Sequence, residues 1–442
     1  MTIRAALRLF QFSLVCILTS TAALAAQNAQ TAPADQGPKL QFVLMLSRHG
    51  VRSPIGEQTQ FDPYSAAPWP KWDVPPSYLT LHGYDLMKLF GTWDRAKFSQ
   101  QGLFAPTGCN DAQHVTILAD SDQRTRETGR ALAESMFPEC GIEVHAKAEG
   151  TIDPLYRVAG GPHGDDKALA SAAIAGRIGG DPNHLTEAFR PQLAAMDRVL
   201  GGCGHAAPSD KKRASILDIP ATLGAGTEFA PGYRGPVSVA ATMAENFLLE
   251  YTTGMTDENV GWGCVDGATL RSLMQVDTAA WDYNYRTPTV ARIYASNLLD
   301  HIAKSLEQSV TGKRVTGALS KPDDRLLIVV GHDSNIVTVA GSLGINWVID
   351  GRADDTPPGG ALLFEVWRPA GGGWPFVRLE YTAQTLEQMR QGQELTTANP
   401  PAIAPIFVPG CSEQDGSCTW EGFSAVVSSA IDPGYVNTQG HE

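Results

Sequence analysis

Three short apolar runs, each ending in polar and reactive residues, constrain the fold of this chain more than any other feature. Phe42-Val43-Leu44-Met45-Leu46 leads into Arg48-His49, Val115-Thr116-Ile117-Leu118-Ala119 leads into Asp120-Ser121-Asp122-Gln123-Arg124, and Leu326-Leu327-Ile328-Val329-Val330 leads into Gly331-His332-Asp333. Runs of this length read as strands buried on both faces, the kind that parallel sheets contain. Helical patterns follow two of them, at 125–137, with Leu132 and Met136 on one face, and at 335–343. Strand, loop, helix is the order of an α/β fold, and open parallel sheets bind ligands beyond the carboxyl ends of their strands. Three loops far apart in sequence are therefore expected to meet around one ligand.

The middle of the chain differs. No buried-strand run stands out between Asp153 and Arg286. Leu185, Phe189, Leu193, Met196 and Leu200 recur at helical spacing, with Pro191 marking a kink or a restart. A second helix is expected over 240–251, and clusters of Gly and Pro at 160–164 and 224–235 punctuate the region. Near Thr289 the core resumes, where Val290, Tyr294, Leu298 and Ile302 share a helix face. The expected fold is an α/β core over 40–152 and 287–442, with an inserted, mostly helical second domain over 153–286.

Arg4 and Arg8, the apolar stretch at 9–18 and the small-x-small pattern Ala23-Leu24-Ala25 read as a secretory signal peptide over 1–26. The polar, Pro/Ala-rich 27–39 reads as a disordered linker. The apolar stretch is too short to span a bilayer comfortably and no later one is long and apolar enough to cross it, so a periplasmic or secreted protein is expected, with no membrane contact after signal cleavage. The formal charge is −13, and removing Arg4 and Arg8 brings it to about −15. That disfavours nucleic acid and anionic membranes as partners, and requires any anion site to be a local basic pocket. Of seven cysteines, six remain beyond Cys16. An even number suits disulfides in an exported chain, though six cysteines allow fifteen pairings. Cys411 and Cys418 bracket a turn and read as a local staple. With no CxxC pair and no HExxH helix, metal binding is the weaker reading of these residues.

The strand ends carry complementary chemistry. Arg48, Arg52 and Arg124 offer planar forks of donors that stay charged at any working pH, which suits a phosphoryl dianion, and His332 adds another donor. His49 is the candidate nucleophile, and Asp333 the candidate acid for a departing alkoxide. If Asp333 must be protonated when it acts, activity falls as pH rises above neutrality. Arg124 and Arg126 are equally consistent with solvating a helix start. His82, His114, His145, His163, His184, His205, His301 and His441 lack such a setting and are assigned surface or core roles.

Arg48-His49-Gly50-Val51-Arg52-Ser53-Pro54 resembles the RHGxRxP signature of the histidine acid phosphatases. Gly331-His332-Asp333-Ser334-Asn335 resembles that family's HD element, in the form seen in bacterial phytases and glucose-1-phosphatases. Leu79-Thr80 with Gly83, Asp122-Gln123-Arg124-Thr125-Arg126, Arg286-Thr287-Pro288 and Thr356-Pro357-Pro358-Gly359-Gly360 extend the similarity. The resemblance implies a phosphohistidine at His49, phosphoryl binding by Arg48, Arg52, Arg124 and His332, and proton donation by Asp333. It also implies no cofactor and no metal, and an α/β domain beside a helical one. It implies the pairs Cys109–Cys140 and Cys411–Cys418; Cys203 and Cys264 depart from the phytase pattern and are expected to pair with each other. Ile55-Gly56 stands where some phytases carry Thr-Lys, which removes a cation from the pocket mouth. Residues 69–75 lean toward the glucose-1-phosphatases, although those often carry Asn where this chain has Gly50. The substrate thus stays open between phytate and smaller phosphomonoesters, and the chain is expected to act as a monomer. The rival from another class is a non-catalytic periplasmic binding protein for phosphate or sugar phosphates.

Overall fold

The structure is a computed structural model that describes residues 37–158, 161, 163–204, 213–224 and 232–437. The expected signal peptide, nearly all of the expected linker, His205 and His441 lie outside the described residues. Eight strands form one mixed sheet: β1 (Lys39–Arg48), β2 (Val115–Ala119), β3 (Val144–His145), β4 (Leu326–Gly331), β5 (Ala361–Arg368), β6 (Phe376–Ala383), β7 (Ala402–Ile406) and β8 (Cys418–Thr419). Their order is β7-β6-β5-β1-β4-β2-β3, with β8 paired to β6.

The three expected strands lie side by side. β4 runs parallel to β1 on one side and to β2 on the other, with Arg48 opposite Gly331 and Ala119 opposite Val330. This register ends the three strands at one level, so their polar continuations emerge together. Alternate residues point to opposite faces. Leu44, Leu46, Leu327 and Val329 enter one apolar cluster, and Val43, Met45, Ile328 and Val330 enter another. Both faces are thus covered, as the apolar runs require. The antiparallel half, β5 to β8, has no counterpart in the sequence reading. Its longest apolar run is broken by Glu365, which is buried and accepts from the Trp367 indole at 2.9 Å.

Six helices frame the site: α1 (Leu81–Gln100), α2 (Gln123–Met136), α3 (Pro236–Thr252), α4 (Gly267–Tyr285), α5 (Pro288–Thr311) and α6 (Asp333–Leu343). α1 packs on α2, α3 on α4, and α6 on both α4 and α5. Leu185, Leu193, Met196 and Leu200 join Phe247 and Leu273 in a third apolar cluster. Pro191 marks a restart: one helix covers Asn183–Ala188 and the next Arg190–Leu200, with the proline in its first turn, where a missing N–H costs nothing. Phe189 sits at that junction rather than on a continuous face. A short hairpin, Thr222–Leu223 with Tyr233–Arg234, interrupts the helices. α5 joins the two regions, with Val290 in the helical cluster and Leu298 and Ile302 against the sheet. Disulfides link Cys109 to Cys140, Cys203 to Cys264 and Cys411 to Cys418. No described helix is long and apolar enough to cross a membrane.

Candidate active site

A cleft of about 450 Å³ opens beyond the ends of β1, β4 and β2, lined by His49, Arg52, Arg124, His332 and Asp333. Arg48, the last residue of β1, is buried just behind it. The structure thus brings together all six residues singled out from the sequence. Arg126 is not among the lining residues; it is partly exposed and faces Glu149 at 3.8 Å.

The loop after β1 is held from several sides. The backbone N–H of Arg48 donates to Gly360 O and that of His49 to Gly331 O, while Gly359 N–H donates to His49 O, at 2.9–3.0 Å. Gly359 turns there with φ +76°, which explains why a glycine follows the two prolines. Thr80 caps α1, accepting from Gly83 N–H at 2.9 Å, and its own N–H donates to Val51 O at 3.0 Å. A Cβ on Gly83 would lie 2.1 Å from that same carbonyl oxygen, so α1 approaches the loop only because residue 83 has none.

His49 Nδ1 lies 2.9 Å from Gly50 O. A carbonyl only accepts, so Nδ1 carries the proton and Nε2 keeps a lone pair. Burial, then Arg124, Arg48, Arg52 and His332, hold this imidazole well below the usual histidine range, so it stays neutral in acid. His332 Nε2 donates to Asp120 Oδ2 at 2.7 Å, and its Nδ1 faces Arg124 Nη2 at 3.5 Å. Its pKa is also lowered, chiefly by burial and against the pull of Asp120. The two rings meet edge to face, with centroids 5.5 Å apart.

The arginines are countered rather than bare. Arg48 donates to Thr356 O and Glu245 Oε1, both at 2.5 Å, and reaches Asp333 Oδ2 at 2.9 Å. Arg52 donates to the same Glu245 oxygen at 2.9 Å. Arg124 donates to Asp122 Oδ2 at 2.7 Å, and burial leads the influences that pull its guanidinium down to about 10. Asp333 opens α6 and accepts from Ser334 N–H at 2.8 Å. Burial favours its neutral form, but Arg48, Arg52 and His332 together outweigh burial and hold it below the usual carboxylate range. A proton that Asp333 is to donate must therefore reach it in the course of the reaction.

Several functional neighbours were invisible in the sequence. Glu245 arrives on α3, and Asp277, buried on α4, faces Glu245, Asp355, Arg48 and Asp333; burial first, then the other carboxylates, push it well above the usual range. Asp120 and Asp122 stood in a recognised strand end, yet nothing local indicated that Asp120 orients His332. Among the described residues, Asp120, Asp122 and His332 bring possible metal ligands within 4.8 Å of one another. Arg157 lies against both carboxylates at 3.2 and 2.5 Å, and Arg124 against Asp122 at 2.7 Å, so two guanidiniums already counter the two acids.

Comparison with known proteins agrees with this geometry. The profile of the Histidine phosphatase superfamily (branch 2) matches residues 39–174 and 237–382. Phytase AppA of Escherichia coli is 33% identical over 89% of this chain and 93% of its own length. A glucose-1-phosphatase of Salmonella typhimurium is 28% identical over 95% of this chain and 99% of its own length. The structure of Hafnia alvei phytase in complex with tartrate superposes with a TM-score of 0.81 at 32% identity, covering 92% of this chain and all of that one. The chain belongs to the histidine phosphatase superfamily, branch 2.

Proposed function

We propose that this chain is an exported, metal-independent acid phosphatase that hydrolyses phosphomonoesters through a phosphohistidine on His49. The observation that carries the reading is the Nε2 lone pair of a neutral, buried His49, set among Arg52, Arg124 and His332 with Asp333 in the same cleft. The names of the relatives, phytase and glucose-1-phosphatase, support the same class of reaction.

In this scheme the ester's phosphoryl oxygens displace the internal counter-ions of Arg48, Arg52 and Arg124, beside His332, whose ring Asp120 holds in place through Nε2. The ester enters as its monoanion and passes its proton to Asp333; His49 Nε2 then forms the N–P bond as the ester O–P bond breaks, and the leaving alkoxide takes that proton from Asp333. Asp333, ionised again, takes a proton from water; that water attacks phosphorus, the N–P bond breaks and phosphate leaves. Positioned arginines stabilise the charge on the equatorial oxygens, the main source of rate in phosphoryl transfer. The three disulfides suit an oxidising compartment outside the cytoplasm. The apolar cluster built mainly by the helices of 153–286, with Val51, Leu86, Val290, Leu386 and Met389 joining from the core, supports reading that region as an insertion in the α/β core.

The test is phosphate release at mildly acidic pH with EDTA present, from glucose 1-phosphate, p-nitrophenyl phosphate and phytate. Turnover, with an acid-labile phosphoenzyme that His49→Ala abolishes, is expected. Stoichiometric phosphate binding without turnover would favour the binding-protein alternative instead.

A further inference from the structure

Two chemistries line one cleft. One part is ionic, and the other is built from Trp281 and Tyr285 at the end of α4, Tyr294 on α5, and Ile55 from the loop after β1. Trp281 and Tyr285 stand one turn apart with ring centroids at 4.8 Å, and Tyr294 meets Tyr285 edge to face at 5.9 Å. All three rings are half-buried, so each keeps surface toward the cleft. This aromatic part lies on the acid's side: α4 packs against α6, which Asp333 opens, and Tyr285, its phenol raised by burial and then by Tyr294, is also within electrostatic reach of Asp333. The alcohol that Asp333 protonates on the proposed mechanism therefore leaves beside the rings.

We propose that Trp281, Tyr285 and Tyr294 form a ring-binding subsite that selects esters whose alcohol is a single ring bearing one phosphate, and disfavours polyphosphorylated rings. This rests on the phosphatase reading above and deepens it. Aromatic walls with a few placed polar groups are how proteins hold small ring ligands, by stacking against an apolar face. The charges point the same way. Three arginines and three carboxylates line the cleft, and no lysine does among the described residues. Arg52 is bonded to Glu245, and Arg124 and Arg157 both to Asp122. One phosphoryl group draws on the guanidiniums at the nucleophile. Further phosphates on the same ring would meet indole and phenol faces, whose electron-rich surfaces repel anions, or the Ile55 side chain.

The test compares kcat/KM for glucose 1-phosphate, glycerol 2-phosphate and inositol hexakisphosphate. Glucose 1-phosphate is expected to exceed the hexakisphosphate by at least about 10-fold, the discrimination that a misfit in one pocket typically gives. Trp281→Ala and Tyr294→Ala should each raise KM for glucose 1-phosphate about 10-fold more than for the acyclic glycerol ester. Equal losses on both esters would make the rings structural and overturn the subsite. A hexakisphosphate preference in the unaltered protein would overturn the selectivity. Absence of turnover on all three would instead remove the phosphatase reading on which the subsite depends.

Discussion

On the proposed mechanism Asp333 releases a proton, yet Arg48, Arg52 and His332 overcome its burial and hold it below the usual carboxylate range. The proton then arrives with the substrate. A phosphomonoester loses its second proton near pH 6, so the monoanion brings into the cleft the proton that Asp333 lacks. The sign follows: kcat/KM falls as pH rises through the ester's own second ionisation, not through that of Asp333. His49, held below its ordinary range, stays a free base as pH falls and fails only in stronger acid. Profiles for p-nitrophenyl phosphate and glucose 1-phosphate should therefore have alkaline limbs displaced from each other, the aryl ester turning down first. A limb at one pH for both would assign it to an enzyme group. Asp333→Asn tests the acid itself: glucose 1-phosphate should lose roughly 10²–10⁴-fold, and p-nitrophenyl phosphate, whose leaving group needs little protonation, far less. Arg48, His49, Arg52, Arg124, His332 and Asp333 were legible because each lies at or just beyond the end of a buried strand, where a reactive polar residue is conspicuous. Glu245 was not, because one acid on a long helix looks like its solvent face until folding turns it onto two arginines.

Between β1 and α1 a single missing Cβ sets the spacing. Gly83 abuts Val51 O, the carbonyl that also receives the Thr80 N–H, and the same loop carries Arg52. Gly83→Ala cannot be absorbed by a rotamer change, since its obstacle is backbone. It should cost about 1–3 kcal/mol, the usual range for overpacking, and displace the loop enough to lower kcat. Urea denaturation with kinetics on p-nitrophenyl phosphate checks this; unchanged stability and rate would show that α1 shifts freely. At this scale β1, β2 and β4 were readable because each carries a run that is apolar on both faces. The antiparallel half was not: β5 carries Glu365, and β6 alternates with Arg378 and Glu380, so neither shows an unbroken run. Glu365 and Glu380 are both met by Lys97 of α1, a long-range contact that no local pattern announces. Pro191 could be read two ways from sequence, because a proline in the first turn and a proline at a kink leave the same periodicity.

Across the whole molecule, the helical region supplies what distinguishes this cleft, Glu245 from α3 and the rings of α4, while the sheet supplies the strand-end residues. Its own tie is Cys203–Cys264, which joins the end of the helix Arg190–Leu200 to the approach to α4 across a separation of 61 residues. Cys411–Cys418 spans only 7. Closing the longer loop removes more freedom from the unfolded chain, so Cys203→Ser with Cys264→Ser should cost about 4 kcal/mol and Cys411→Ser with Cys418→Ser about 2 kcal/mol. Urea melts of the two double variants give the order directly; a larger loss from the short loop would mean that native packing, not chain entropy, dominates these bridges. The same cysteines report on export. The seventh, Cys16, falls within the proposed signal peptide, so the processed protein should show no reactive thiol when denatured without reductant. One thiol per chain would place Cys16 in the final product and the signal uncleaved. More than one would mean that a bridge is open, and the double variants identify which, since removing an already open pair changes stability least.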